Sequence, residues 1–205
     1  MKILAVGAHP DDIEIGCAGS LLKYANAGHD VYLLVMTLGE MGGEAETRKE
    51  EQARSAEIMN VRDLFWGEYN DTQLVAHLNN MISDIETLLK KIKPDFLFVN
   101  YGDDSHQDHR TLCKAVTSAS RYIRNVLFYE VPTTQNFIPP VFVDIRDTMD
   151  GKIETLLAHK SQVERTNIEG LSIVDIAKSM AVFRGIQGRV VLAEGFMPLR
   201  LFINI

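Results

Sequence analysis

Lys2-Ile3-Leu4-Ala5-Val6-Gly7-Ala8-His9-Pro10-Asp11-Asp12 decides how the fold is read. From Ile3 to Ala8 the run is continuously apolar rather than alternating, which is the pattern of a strand covered on both faces in a parallel sheet. It ends abruptly in a histidine, a proline and two aspartates. Ligands of open α/β sheets gather at the carboxyl ends of the strands. These polar groups are therefore expected at an edge where chemistry can occur.

Working outward, Ile13 to Ala27 carries apolar and small residues at Ile15, Ala18, Leu21, Leu22 and Ala25, and Gly28 stands where a helix C-cap glycine belongs. Val31 to Met36 is a second apolar strand, so the first 36 residues form a βαβ unit, the seed of a doubly wound sheet. The loop Gly39-Glu40-Met41-Gly42-Gly43 follows, then a charged helix over about 47–60 and a strand over 61–66. Leu74, Leu78, Met81, Ile82, Ile85, Leu88, Leu89 and Ile92 keep helical spacing, which predicts a helix packed on a sheet face.

A strand over 95–101 then delivers the chain into Gly102-Asp103-Asp104-Ser105-His106-Gln107-Asp108-His109-Arg110, a second polar cluster. Further elements are expected as a helix over 110–122, strands over 126–131 and 141–145, helices over 148–166 and 169–184 joined at Asn167, and closing strands over 189–193 and 199–205. No repeat or linker interrupts them. The fold class is α/β, a single-domain Rossmann-like three-layer sandwich with a mostly parallel sheet, and residues 1–205 are taken as one domain.

With 46% hydrophobic and 24% charged residues, the composition is that of an ordinary globular protein. A net charge of −7 argues against a nucleic-acid partner, because phosphate backbones are gripped by clustered Lys and Arg. A small neutral or metal-held substrate fits better. Two cysteines, Cys17 and Cys113, lie far apart in no CxxC pattern, which suggests neither a disulfide framework nor a thiolate zinc site. No signal-peptide pattern and no apolar run near the ~20 residues of a membrane span is evident, so a cytoplasmic location is expected, with no membrane partner.

His9 and Asp12 are three residues apart at the start of a helix, a spacing that can place both on one face and leave Asp11 pointing elsewhere. His106 and His109 repeat the spacing after another strand, and either could supply a third ligand. Three protein ligands with an open fourth position is the pattern of a catalytic zinc. The plainer reading makes Asp12 and Asp108 helix caps with the histidines merely hydrogen-bonded nearby. What favours the site is that both clusters directly follow apolar strands and so share one edge of a parallel sheet.

With these residues in place, the chain resembles the PIG-L/LmbE-like family of zinc-dependent de-N-acetylases, which act on N-acetylglucosamine-containing molecules. The resemblance rests on Ala8-His9-Pro10-Asp11-Asp12, Thr37-x-Gly39-Glu40-x-Gly42 with Arg48-x-x-Glu51, His106-x-Asp108-His109, His159-x-Ser161-Gln162 and Ala193-Glu194-x-Phe196. It implies that His9, Asp12 and His109 hold Zn2+, with Fe2+ or another divalent metal as substitutes. It further implies that Asp11 is the general base, that His106 stabilises the oxyanion and donates a proton, and that Asp108 orients His106. Glu40 and Arg48 match positions that contact the sugar, and homo-oligomers such as a trimer or hexamer are implied.

An amide is a poor electrophile and an amine a poor leaving group, so such chemistry needs a strong nucleophile, an oxyanion site and an acid. Each need has a candidate residue here. The rival readings are an amidase acting on another N-acyl compound, a metal-dependent phosphoesterase, and a non-catalytic nucleotide-binding module. The last lacks the G-x-G-x-x-G turn that lets a backbone approach pyrophosphate.

Overall fold

The computed structural model describes residues 1–166 and 168–203. Its chain order is β1 (Lys2–Gly7), α1 (Asp12–Asn26), β2 (Asp30–Thr37), α2 (Ala45–Ile58), β3 (Asp63–Tyr69) and α3 (Leu78–Ile92), the last entered through a 3-10 turn at Leu74–His77. Then come β4 (Phe96–Asn100), α4 (Gln107–Ala119), β5 (Asn125–Tyr129), β6 (Val141–Asp144), α5 (Met149–Ala158), α6 (Ile173–Gly188) and β7 (Ala193–Arg200). The strands form one sheet in the order β3-β2-β1-β4-β5-β7-β6. β3 to β5 pair in parallel through β2, β1 and β4, whereas β7 is antiparallel to both β5 and β6.

The continuous apolar run of β1 is explained by its neighbours. Ile3 and Ala5 pack into the core beneath α1, with residues of α2, α5 and α6, while Leu4 and Val6 pack into the core beneath α3 and α4. Both faces are covered, so every position of the strand interior must be apolar. The stripe predicted for α3 is realised in the same way, since Met81, Ile85, Leu89 and Ile92 are buried against the sheet. Gly28 takes φ +77 just beyond α1, as a C-terminal glycine should.

Three differences from the expected elements have local causes. α5 stops at Ala158, well short of 166, because His159 leaves helical geometry at ψ 56 and is buried. α6 begins at Ile173, where Ser172 and Asp175 form a reciprocal capping box. The two closing strands are one, β7. Arg189 adopts φ 62 at the end of α6, so 189–192 is turn, and Pro198 lies inside the strand opposite Leu127, where the ladder shifts register. A proline in mid-strand hid the element from a pattern-based reading. Asn167 and the last two residues of the expected closing strand lie outside the described residues.

The strand order reverses between β1 and β4, which are hydrogen-bonded neighbours with Val6 opposite Val99. α1 leaves β1 on one face of the sheet and α4 follows β4 on the other. The two polar loops therefore open side by side at a topological switch point, the usual crevice of doubly wound sheets. No helix among the described residues is long and apolar enough to cross a membrane.

Candidate active site

The loop after β1 is wound tightly. Asp11 precedes α1 with φ 93 and ψ −24, a left-handed conformation that costs a non-glycine residue about 1–3 kcal/mol unless its surroundings impose it. Here they do. Asp12 Oδ2 accepts the main-chain N–H groups of Ala8 at 3.1 Å and His9 at 2.9 Å, so its carboxylate folds back over the loop. Arg48 donates to the carbonyls of Pro10 at 2.8 Å and Gly39 at 2.7 Å, and its guanidinium lies 3.4 Å from Asp11 Oδ2. Gly39 has φ +66 and faces that guanidinium so closely that a Cβ would collide with it.

The loop after β4 is held differently. Asp104 Oδ1 accepts the N–H of His106 at 2.7 Å, and its Oδ2 accepts from Thr134 at 3.0 Å and lies 3.1 Å from His109 Nδ1. His106 is the N-cap of α4, its Nδ1 accepting the N–H of Asp108 at 3.2 Å. A neutral imidazole that accepts at Nδ1 carries its proton on Nε2, which leaves a donor free. The ring of His106 stacks on His109 with centroids 4.7 Å apart.

His9 Nδ1, His109 Nε2 and the Asp12 carboxylate converge. His9 Nδ1 is 3.3 Å from His109 Nε2 and 3.4 Å from Asp12 Oδ2, and His109 Nε2 is 3.3 Å from Asp12 Oδ1. Ligand bonds of about 2.0–2.2 Å at tetrahedral angles predict edges of roughly 3.3–3.5 Å; the edge between the two imidazoles meets this, and the Asp12 carboxylate completes the set with one oxygen toward each ring. The far nitrogens are oriented to match. His9 Nε2 faces Asp71 Oδ1 at 3.1 Å and Asp108 Oδ2 at 3.4 Å, while His109 Nδ1 faces Asp104 and, at 3.3 Å, Thr133. Carboxylates that hold the outer N–H of each ring turn both inner lone pairs toward a common point, as partners of metal-bound histidines do. Two imidazoles and a carboxylate meeting so closely are a donor set suited to a divalent cation.

Two other groupings, His9–His106–His109 and His9–Asp71–Asp108, also converge. The first enlists His106, whose Nδ1 already accepts from the main chain, and the second uses the outer nitrogen of His9. In the set with Asp12, both imidazoles instead turn one nitrogen inward and keep the other for an outer carboxylate.

Burial pushes Asp11 up to about 6, with Asp12 adding to the rise and Arg48 opposing it. Burial alone would also raise Asp12, but His109 and His9 hold it well below the ordinary carboxylate range. Two adjacent carboxylates are thus driven apart, one toward a proton acceptor near neutrality and the other toward permanent charge. His106 is lowered by burial and by the neighbouring His9 and His109, which keeps it neutral. All of these groups line one cavity of about 420 Å³. It is also lined by Asp71, by Met41, Gly42 and Arg48, and by Gln162, Arg165, Thr166, Ile173 and Ile176.

The structure brings His9, Asp11, Asp12, His106, His109 and Arg48 into that cavity. Three placements differ from expectation. The Asp108 carboxylate does not orient the His106 ring; it accepts from Thr72 N at 2.7 Å and Leu74 N at 3.3 Å and faces His9, and only its main-chain N–H touches His106. Glu40 does not line the cavity, because its carboxylate accepts the N–H of Asp71 at 2.7 Å. Arg48 lines it, but NH1 and NH2 are turned to carbonyls of the protein and to Asp11. The plainer helix-cap reading fails as well, since Asp12 bonds back to the loop and the N-cap of α4 is His106.

Sequence reasoning missed Asp71, which lies between β3 and the turn at Leu74–His77, and the task of Asp104. The tail motif is explained by packing. Ser161 donates through N and Oγ to the two oxygens of Glu51, each at 2.7 Å, so His159-x-Ser161-Gln162 is fastened to Arg48-x-x-Glu51. His159 lies 3.6 Å from Glu14; burial works against charge on both, and their mutual attraction outweighs it, raising the histidine and lowering the acid. Glu194 accepts from Gly19, Ser20 and Lys152, tying β7 to α1 and α5.

The family model described as GlcNAc-PI de-N-acetylase, PIG-L, matches residues 4–120. The chain is 35% identical over 167 residues to the uncharacterized deacetylase YaiS of Escherichia coli, covering 78% of this chain and 90% of that one. It is 31% identical to the diacetylchitobiose deacetylase of Thermococcus kodakarensis, over 78% of this chain and 70% of the other. The solved structure of the conserved protein TT1542 from Thermus thermophilus superposes with a TM-score of 0.87 at 26% identity, covering 99% of this chain and 96% of that one.

Proposed function

The chain belongs to the PIG-L family of deacetylases, and from that premise we propose that it removes the N-acetyl group from an N-acetylglucosamine-containing or related amino-sugar substrate. The observation that carries this reading is the triangle of His9 Nδ1, Asp12 and His109 Nε2 beside an Asp11 raised to about 6 in the same cavity. When bound there, Zn2+ would polarise the acyl carbonyl and bring the pKa of a water to about 7.

The remaining work falls to side chains. Asp11, ionised above about pH 6, takes the proton of the attacking water and is kept in place by Arg48. His106 presents Nε2–H to the oxygen that gains negative charge, a role that needs a fixed neutral donor rather than a mobile cation. The proton needed by the departing amine is the one Asp11 took from the water, which Asp11 hands on as the C–N bond breaks. Asp104 and Asp71 fix the two ligand rings.

The proposal takes residues 1–205 as one deacetylase domain with zinc as its resident metal, in a reducing, cytoplasmic setting that suits two free buried thiols. Association into a trimer or hexamer belongs to it too, supported by Val182, Phe183 and Ile186, which α6 leaves half-exposed or more. The test is an amine-release assay over N-acetylated sugars and their conjugates, with metal measured on the same sample. Release together with about one divalent metal per chain is expected. Metal with no release from any member would point to another N-acyl amidase, and two metals per chain to a phosphoesterase.

A further inference from the structure

Asp11 combines a task with a cost: it must aim a carboxylate into the cavity while its backbone sits at φ 93. Arg48 restrains its side chain and the carbonyl of Pro10, which leaves the Asp11 N–H to be accounted for. That N–H points to Gln52 Oε1 at 3.3 Å, and Gln52 is fully buried on α2.

The orientation of the Gln52 amide is set from behind. Its Nε2 lies 2.7 Å from Glu14 Oε1, and an ionised carboxylate only accepts, so the NH2 end must face Glu14 and the oxygen must face Asp11. Glu14 is itself fully buried on α1 and is held charged by His159 at 3.6 Å. A side chain from the end of α5 thus reaches the turn after β1 through two intermediates. Resting on the reading of Asp11 as base, we propose that Gln52 is a positioning residue that fixes Asp11 in its left-handed conformation, with Glu14 and His159 locking the Gln52 amide in the required sense.

Ser55 provides the control. It donates to the same Glu14 Oε1 at 2.7 Å and is equally buried, and the hydrogen bonds of Asp11 run to Gln52 and Arg48 instead. Gln52→Met keeps the volume and removes both amide contacts, Gln52→Asn keeps the polarity but is too short to bridge, and Ser55→Ala breaks a bond of the same length. Either Gln52 variant should lower kcat about 10- to 100-fold with KM and bound metal nearly unchanged, as expected when a reacting group is displaced by a fraction of its length. Ser55→Ala should lose stability but keep kcat. In parallel, the Asp11 amide should exchange slowly with solvent in the wild type, faster by about tenfold or more in the Gln52 variants, and unchanged in Ser55→Ala.

A wild-type Asp11 amide that exchanges freely overturns the proposal whatever the variants do, as do Gln52 variants with wild-type kcat, or an equal loss of kcat in Ser55→Ala. The exchange measurement needs no substrate. A wild-type protein that released no amine would therefore sink the deacetylase reading while leaving the Gln52–Asp11 link to be decided by exchange alone.

Discussion

The two polar loops use the same spacing, a histidine followed three residues later by a second ligand-capable group, yet they are built on different principles. The loop after β1 is closed on itself: Asp12 binds the amides of Ala8 and His9, and Asp11 takes up the strain. The loop after β4 relies on helix capping and on partners elsewhere, with His106 capping α4 and Asp104 joining His109 to Thr134 of the next loop. In the proposed assignment the first spacing therefore separates a ligand pair from a base between them. In the same assignment the second separates a ligand from an uncharged donor stacked on it. Identical spacing does not imply identical division of work; the backbone conformation between the two residues decides it.

The largest test of that contrast is His109→Ala. It removes one corner of the triangle, so bound metal measured by elemental analysis and amine release should both fall to background. Asp11→Asn should instead retain the metal while kcat drops by about 10²–10⁴, the usual contribution of a positioned base. Asn tolerates left-handed geometry, so the loop should survive. Should Asp11→Asn lose metal while Asp12→Asn keeps it, the assignments within the first loop would have to be exchanged. His106→Ala should reduce kcat about 10²–10³-fold with metal retained, since it deletes one donor to the oxyanion. Loss of metal in that variant would move His106 into the ligand set.

Smaller effects probe the supports. Asp104→Asn should weaken metal affinity by about 10–100-fold, read by competition with a chelator, because His109 loses the carboxylate that holds its outer N–H. The pH profile is milder still. Asp11 acts only when ionised, and its pKa lies near 6, so activity should fall by about tenfold per pH unit below that value and level off above it. A profile flat down to pH 5 would remove Asp11 from the reaction.

Much of the fold was legible because β1 to α4 consist of long segments with one clear period each, and the first loop announced itself by placing His9, Asp11 and Asp12 straight after an apolar strand. What stayed hidden depended on contacts between distant segments. Asp71 carries no local signal, since only folding brings it against His9. Arg184, with no local signal of its own, is buried and pairs with Glu130 at 2.5 Å. Glu40 and Arg48 sit at the expected positions in the chain, yet hydrogen-bond demand from the Asp71 amide and from the Pro10 and Gly39 carbonyls draws them away from a free role in the cavity. In the last third, Pro198 and the departure of His159 from its helix defeated period-based reading.

The clamp between Glu51 and Ser161 separates two kinds of heritable change. The His9–Asp12–His109 set and its supports stand on the loops after β1, β3 and β4 and on the first turns of α1 and α4, whereas Gln162, Arg165, Thr166, Ile173 and Ile176 line the same cavity from a later part of the chain, fastened at Ser161 to Glu51 and at Gln162 and Arg165 to the carbonyl of Gly42. Substitutions beyond those fastenings can reshape the wall without moving a ligand. A lineage could therefore exchange one acylated substrate for another by altering a few positions after 162, while the reaction itself is inherited unchanged.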